Sequence, residues 1–446
     1  MVSDSGVITN RQIWNISYPI FFGLLAQNII NVTDTAFLGR VGEVELGASA
    51  MGGLYYICIF TIAFGFSTGS QILIARRNGE KNYAEVGPVM IQGCAFLLVM
   101  AALLFGLSLL FAGDIMRMLI SSDDIWNATV RFLNWRVIGF FFVFLGVMFR
   151  AFFVGITRTK VLTLNAIVMA ITNIVLDYLL IFGKFGFPKL GLEGAAIASV
   201  IAEAVSILFY FIYTRLTVDS EKYGLTRFRS FDVDLLKRVL NISIFTMLQY
   251  FISLSTYFIL FIAVEHLGQR SLAVANIVRS LYVMMLIPIN ALAMTTNTLV
   301  SNCLGANRAD NVLPVIKHIT YLSVGVTVIF VGVLCLFPKA VLSIYTNDME
   351  LIEASVSTFF IVALAMPIAA MANIIFNGLI GTGNTQVAFI IEVVTLVFYT
   401  LFIFVAAFRM KLPVSLCFLT ETIYYVGLFL FSIIYLLKGN WRNKVL

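Results

Sequence analysis

Residues 161–183 read VLTLNAIVMAITNIVLDYLLIFG, and this stretch decides the class of fold. As a helix rising ~1.5 Å per residue, a run of this length crosses a hydrocarbon core ~30 Å thick. Its single acid, Asp177, stands four residues after Asn173, so the two share one helix face. A carboxylate at that depth costs ~2.5–3.5 kcal/mol on the lowest insertion scales, which makes it a functional-site candidate.

Similar runs fill the rest of the chain. Of its 446 residues, 61% are hydrophobic and 12% charged, where soluble domains carry about 25% charge. Twelve spans are expected at 13–38, 47–73, 88–112, 129–153, 161–183 and 192–214, then 238–264, 274–303, 316–340, 353–378, 387–408 and 414–437. The fold class is therefore an all-α integral membrane protein. A membrane β-barrel would instead show short alternating segments. The segment before the first span is short and polar with Arg11 as its basic flank, so that span is expected to be retained and not cleaved.

Twelve spans place both termini on one side. Seventeen Lys and Arg fall in the loops of that side, among them Arg76, Arg77, Arg158, Lys160, Arg227, Arg229 and Lys444, against nine on the other. The excess predicts a multi-pass protein of the cytoplasmic (inner) membrane with both termini in the cytoplasm. Topology and lipid headgroups account for the net charge of +6, so no nucleic-acid partner is expected. Cys58, Cys94, Cys303, Cys335 and Cys417 all fall in apolar spans without metal-type spacing and read as packing residues. His266 and His318 stand near loops and helix ends, where a solvated side chain is expected.

The polar stretch from Thr214 to Phe231 separates two sets of six spans. The expected organisation is an amino-terminal six-helix lobe at 1–214, a cytoplasmic linker at 215–237 and a carboxy-terminal lobe at 238–446. The halves echo one another at a spacing of about 226 residues, the mark of an internal repeat. Ala48-Ser49 through Leu54-Tyr55 resembles Ala275-Asn276 through Leu281-Tyr282. The turn at 77–81 resembles that at 303–307, and Phe153-Val154-Gly155 followed by Thr159 resembles Phe376-Asn377-Gly378 followed by Thr385. An even number of spans per repeat makes the two bundles parallel repeats, suited to rocking. No phosphate-binding loop of the G-x-x-x-x-G-K-[ST] type occurs, so energy is expected from an ion gradient or an outside subunit.

A second intramembrane acid, Asp34, ends the stretch Gln27-Asn28-Ile29-Ile30-Asn31-Val32-Thr33-Asp34 in the first span. Gln27, Asn31 and Asp34 form one polar stripe. Asp34 and Asp177 both fall in the outer half of the membrane, so a common cavity is expected. Two carboxyl groups in low dielectric hold a proton readily. Asn173, Asn31 and Gln27 can bond either protonation state or complete an oxygen shell for sodium. Helix-to-helix bonding is the alternative role for each acid. Pro19 lies in the same span as Asp34 and favours a kink there. Glu203, Glu392 and Glu421 are further intramembrane acids, read as a second ion site, as a substrate-cation contact or as paired structural groups. Arg136, Arg150 and Arg279 lie near the expected helix ends, placed either to snorkel or to neutralise those acids. The 41 phenylalanines and 16 methionines are mostly assigned to packing and lipid contact.

These features resemble the multidrug and toxic compound extrusion (MATE) family over essentially the whole chain. The motifs that carry the resemblance are Pro19 and Asp34 in the first span, Asn173-x-x-x-Asp177 in the fifth, and Gly378-x-x-Gly381-x-Gly383-Asn384-Thr385. They are most similar to the DinF-like branch. The resemblance implies efflux of cationic or amphipathic compounds by antiport against protons or sodium, with Asp34, Asn173 and Asp177 as the cation site. It implies no cofactor and no metal beyond a sodium ion, a monomer, and organic cations and membrane lipid as partners. Ser199 is its weaker counterpart for a sixth-span hydroxyl, and Phe132 stands where some branches have tyrosine. Another branch uses acids of the seventh and tenth spans; here the tenth has no interior acid and Glu265 falls at an outer loop. A lipid-linked saccharide or lipid flippase of the same superfamily is the alternative. No nucleophile–base pair or metal cluster suggests an enzyme.

Overall fold

The computed structural model describes residues 8–226, 231–346 and 348–442. Arg227, Arg229 and Lys444, counted above for loop orientation, lie outside the described residues, as does part of the expected linker. Among the described residues, twelve helices are long and apolar enough to cross a membrane. They are α1 Asn10–Gly39, α2 Glu43–Gly79, α3 Tyr83–Leu119, α4 Asp123–Gly155, α5 Lys160–Phe182, α6 Leu192–Thr217, α7 Val233–Glu265, α8 Gln269–Gly305, α9 Ala309–Leu336, α10 Met349–Gly381, α11 Thr385–Arg409 and α12 Val414–Lys438.

Each expected span sits on one of these helices, and most helices run past it. Hydropathy reports the thickness of the lipid, whereas a helix continues into the headgroup layer: α2 carries Arg76 and Arg77 in its last turn. Two expected ends are corrected. The fifth span stops at Phe182, because Gly183 turns left-handed at φ 65°. The ninth stops at Leu336, where Pro338 begins a separate short turn, Pro338–Leu342, that cannot continue the preceding helix. α4 changes to a 3₁₀ turn over Val137–Gly139, and α11 ends in a π-helical turn over Phe404–Arg409.

The repeat is visible in backbone detail. After α2, Lys81 is left-handed at φ 60°; after α8, Asn307 is left-handed at φ 57°. Asn82 N–H donates to Arg77 O in the first turn, and Arg308 N–H donates to Cys303 O in the second. Thr157 after α4 and Gly383 after α10 match in the same way, at φ 60° and 87°. The glycine motif has a packing reason. A Cβ on Gly381 would come within 2.5 Å of Asn297 O on α8, so the two backbones touch there, and Ser301 Oγ donates to Gly381 O at 2.6 Å.

The chain divides into two compact units, Tyr18–Met247 and Met1–Ser17 with Leu248–Leu446. The divisions fall inside α1, just before Pro19, and inside α7. In the carboxy-terminal unit, the start of α1 is held by Ser17 Oγ donating to Thr295 Oγ1 at 2.9 Å and by Asn10 Oδ1 against His318 Nε2. In the amino-terminal unit, the connection after α6 is anchored. Val218 and Tyr223 are buried, Gly87 N–H donates to Tyr223 O at 2.7 Å, and left-handed Gly224 lies against Ala84 O.

Candidate functional site

Within the amino-terminal unit, α5 presents Asn173 and Asp177 to the interior, 1% and 0% exposed. The four-residue spacing does this: Thr172 and Val175, on other faces, are half-buried or more exposed. Asp34, near the end of α1, is half-buried, and its carboxyl group lies within hydrogen-bonding reach of that of Asp177. Arg136 on α4 is within electrostatic range of Asp34. On α6, Ser199 Oγ accepts from Asn173 Nδ2 at 3.4 Å.

Four oxygens here are buried and receive no donor: Asp34 Oδ1, both carboxylate oxygens of Asp177, and Asn173 Oδ1. Two carboxylates facing one another without donors repel strongly in a medium that screens little. A shared proton or a cation among those oxygens relieves the repulsion. All four are hard oxygen donors, the chemistry that suits a proton or sodium and not a soft transition metal. Among the described residues, no group of three His, Cys, Asp or Glu side chains is placed to hold a metal.

The structure thus brings together Asp34, Asp177, Asn173 and Ser199. Gln27 and Asn31 share the stripe of α1 but are exposed, and the backbone carbonyl of Asn31 accepts from Thr35 Oγ1 of the same helix at 2.8 Å. Pro19 lies inside the continuous helix α1, and its carbonyl accepts from Thr163 Oγ1 on α5 at 3.4 Å. Phe132 is buried against Gly52. Glu265 is the exposed last residue of α7.

Glu203 is accounted for beside this site. Arg136 grips it with Nη1 to Oε2 at 3.0 Å and Nη2 to Oε1 at 2.7 Å. The Tyr56 hydroxyl donates to the same carboxylate at 3.1 Å, and the guanidinium stacks 3.6 Å from the Tyr56 ring centre. Gly139 makes room: a Cβ there would stand 2.4 Å from Glu203 Oε2 and 2.5 Å from Arg136 Nη1. Arg150 instead lies over the ring of Phe64 at 4.2 Å, and Arg279 over Phe261 at 5.3 Å.

In the carboxy-terminal unit, Glu392 and Glu421 are 1% and 3% exposed, and tyrosines surround them. Tyr282 and Tyr399 donate to Glu421 at 2.8 and 3.2 Å; Ser253 and Tyr424 donate to Glu392 Oε1 at 2.5 and 2.9 Å. Sequence reading singled out the two glutamates but not the tyrosines. A tyrosine in an apolar helix carries no mark of a buried donor until its neighbours are known.

Twelve membrane-length helices in a duplicated order, with donor-free oxygens on carboxyl groups inside them, are the architecture of a membrane carrier. The MatE family model matches residues 19–179 and again 246–405, so the chain belongs to the MatE family of transporters. It is 25% identical over 394 residues to the probable multidrug resistance protein NorM of Thermotoga maritima, covering 86% of this chain and 83% of that one. It is 25% identical over 340 residues to the probable multidrug resistance protein YoeA of Bacillus subtilis, covering 74% and 72%. Among solved structures, the fold superposes on an outward-facing multidrug resistance MATE family transporter with a TM-score of 0.88 at 18% identity, covering 96% and 94%. A MOP-superfamily transporter from Pyrococcus furiosus, described as having a binding pocket of reverse polarity, gives 0.86 at 18% identity, with the same coverage.

Proposed function

We propose that this protein is a cation-coupled efflux antiporter that exports cationic or amphipathic compounds in exchange for protons or sodium. The observation that carries the reading is the facing pair Asp34 and Asp177, in which Asp34 Oδ1 and both Asp177 oxygens, with Asn173 Oδ1, are buried without donors. The pair loads one cation and releases it when the conformation or a positively charged substrate changes the local field. Asn173 and Ser199 orient the pair, Asn31 and Gln27 line the approach along α1, and Pro19 lets that helix bend in response. Relatives named as multidrug resistance proteins support the export of small molecules. The chain acts as a monomer without a cofactor. It lies in the cytoplasmic membrane with both termini inside, as the loop charges favour. Its motif set places it nearest the DinF-like branch.

The test uses purified protein in liposomes loaded with a fluorescent organic cation, with proton and sodium gradients imposed separately. Efflux under one gradient, lost in Asp34→Asn and in Asp177→Asn, supports antiport and names the ion. Efflux equally fast in both variants and wild type sinks the coupling role. Silence under both gradients, with rescue of a flippase-deficient strain, replaces the reading with the flippase.

A further inference from the structure

The two units answer one another residue for residue around α5 and α11, and the answer differs in chemistry. The matched turns before these helices set their register, and in it Tyr399 takes the place of Asn173. Asn173 bonds Ser199 on α6, whereas Tyr399 bonds Glu421 on α12. In the 226-residue register of the turns at Lys81 and Asn307, Tyr282 answers Tyr56, one residue on from the Tyr55 of the sequence match. Tyr56 bonds Glu203 on α6, whereas Tyr282 bonds both Glu421 and the Tyr425 hydroxyl on α12. The carboxylate of the last helix has therefore moved: 226 residues after Glu203 stands Phe429, and Glu421 lies about two turns before it.

Its counter-ion has not followed. Arg136 neutralises Glu203 from α4, but α10, the corresponding helix, contains no Lys or Arg. Among the described residues, neither Glu392 nor Glu421 has an ion pair within 4 Å. The groups facing Glu421 are Tyr282 on α8, Tyr399 on α11 and Tyr425 on its own helix. Tyr257 on α7 and Arg279 on α8 lie within electrostatic range of one another, and Tyr257 of Glu421. From α10, Asn373 bonds Tyr425. Glu392 faces Ser253 on α7 and Tyr424 on α12. Two atoms in this network are buried and unused: Glu392 Oε2 and the Tyr257 hydroxyl. An unpaired carboxylate in such surroundings is costly, and a bound proton removes the charge.

We infer that Glu421 and Glu392 form a second proton-binding site, in the carboxy-terminal unit, wired by the chain Tyr425–Tyr282–Glu421–Tyr399. A proton taken from water converts a carboxylate to a carboxylic acid. The new O–H finds its acceptor in a tyrosine hydroxyl that turns from donor to acceptor, since a phenol serves as either. Sodium fits less well, because a hard cation takes several oxygen ligands and most oxygens here are already hydrogen-bonded to one another. This site does not depend on the Asp34–Asp177 reading.

The experiment records infrared difference spectra of the purified full-length protein between low and high pH, in the Asp34→Asn/Asp177→Asn background. A carboxylic-acid C=O band that titrates there is expected, reduced by adding Glu421→Gln and abolished by adding Glu392→Gln as well. Tyr282→Phe keeps the carboxyl group but deletes a partner, so the band should persist at higher frequency; this variant serves even where Glu421→Gln does not fold. The inference is overturned by the absence of a titrating band in the background, or by a band indifferent to all three changes. It is equally overturned if the band responds to sodium at fixed pH, which would mark a metal-cation site. Should the amino-terminal reading fail instead, wild type and background would show the same carboxyl bands while the glutamate bands remain.

Discussion

The amino-terminal unit holds one fully paired glutamate and one facing pair of aspartates, Asp177 buried and Asp34 half-buried; the carboxy-terminal unit buries two glutamates that bond only hydroxyl groups. The same repeat thus carries acid at membrane depth in three environments: salt-bridged, self-facing and phenol-bonded. Formal charge alone does not separate them. A carboxylate locked to Arg136 is a structural part, since its charge is already cancelled. A carboxylate that meets another carboxylate, or only tyrosines, retains the freedom to take up a cation.

Removing Arg136 should break the comparison most severely. Arg136→Ala leaves Glu203 buried without its cation and is expected to cost ~3–5 kcal/mol, seen as a large fall in the thermal unfolding midpoint in detergent. Glu421→Gln, which removes a charge that has no cation to lose, should change that midpoint far less. Equal losses in the two variants would show that the environments do not differ as described. Next in size, Asp34→Asn and Asp177→Asn should each slow gradient-driven efflux more than about tenfold, equivalent to ~1.4 kcal/mol, while leaving the midpoint near wild type. A variant that unfolds instead would assign its aspartate to packing.

Gly139→Ala forces a methyl group toward the Arg136–Glu203–Tyr56 cluster and should destabilise by ~1–3 kcal/mol. Gly427→Ala in the other unit meets Thr395 Cγ2 at 3.0 Å and should cost less. A reversed order, read from the same melts, would mean that the salt-bridged cluster gives way easily. The smallest effect concerns the paired turns. Lys81→Gly relieves a left-handed lysine and should stabilise by ~1 kcal/mol. Asn307→Gly should gain a few tenths at most, because asparagine tolerates that conformation. A gain of the same size at both positions would remove the distinction.

The fold was legible because it rests on run length and on turn signatures. Apolar runs fixed twelve helices, and the turns ending at Lys81 and Asn307 disclosed the repeat before any backbone angle was known. Asn173 and Asp177 were legible as one face because helical spacing is local. The pairing of Glu203 with Arg136 was legible only as a class of contact, since the partner lies 67 residues away. Other cations, Arg150 and Arg279, looked equally placed and instead lie over phenylalanine rings. Tyr282, Tyr399, Tyr424 and Ser253 were not legible. Their role arises where α7, α8, α11 and α12 converge, and no spacing within one helix records that.

The contacts at the head of α1 set an order in time. Asn10 and Ser17 are synthesised long before the residues they bond to, His318 on α9 and Thr295 on α8. Ser17 precedes Thr295 by 278 positions. At ~5–20 residues per second, synthesis keeps it waiting roughly 15–55 s for its partner. The head of α1 is therefore kept from its place until most of the following helices have been made. A truncated chain that ends before α8 would expose it, giving quality control a signal that the protein is unfinished.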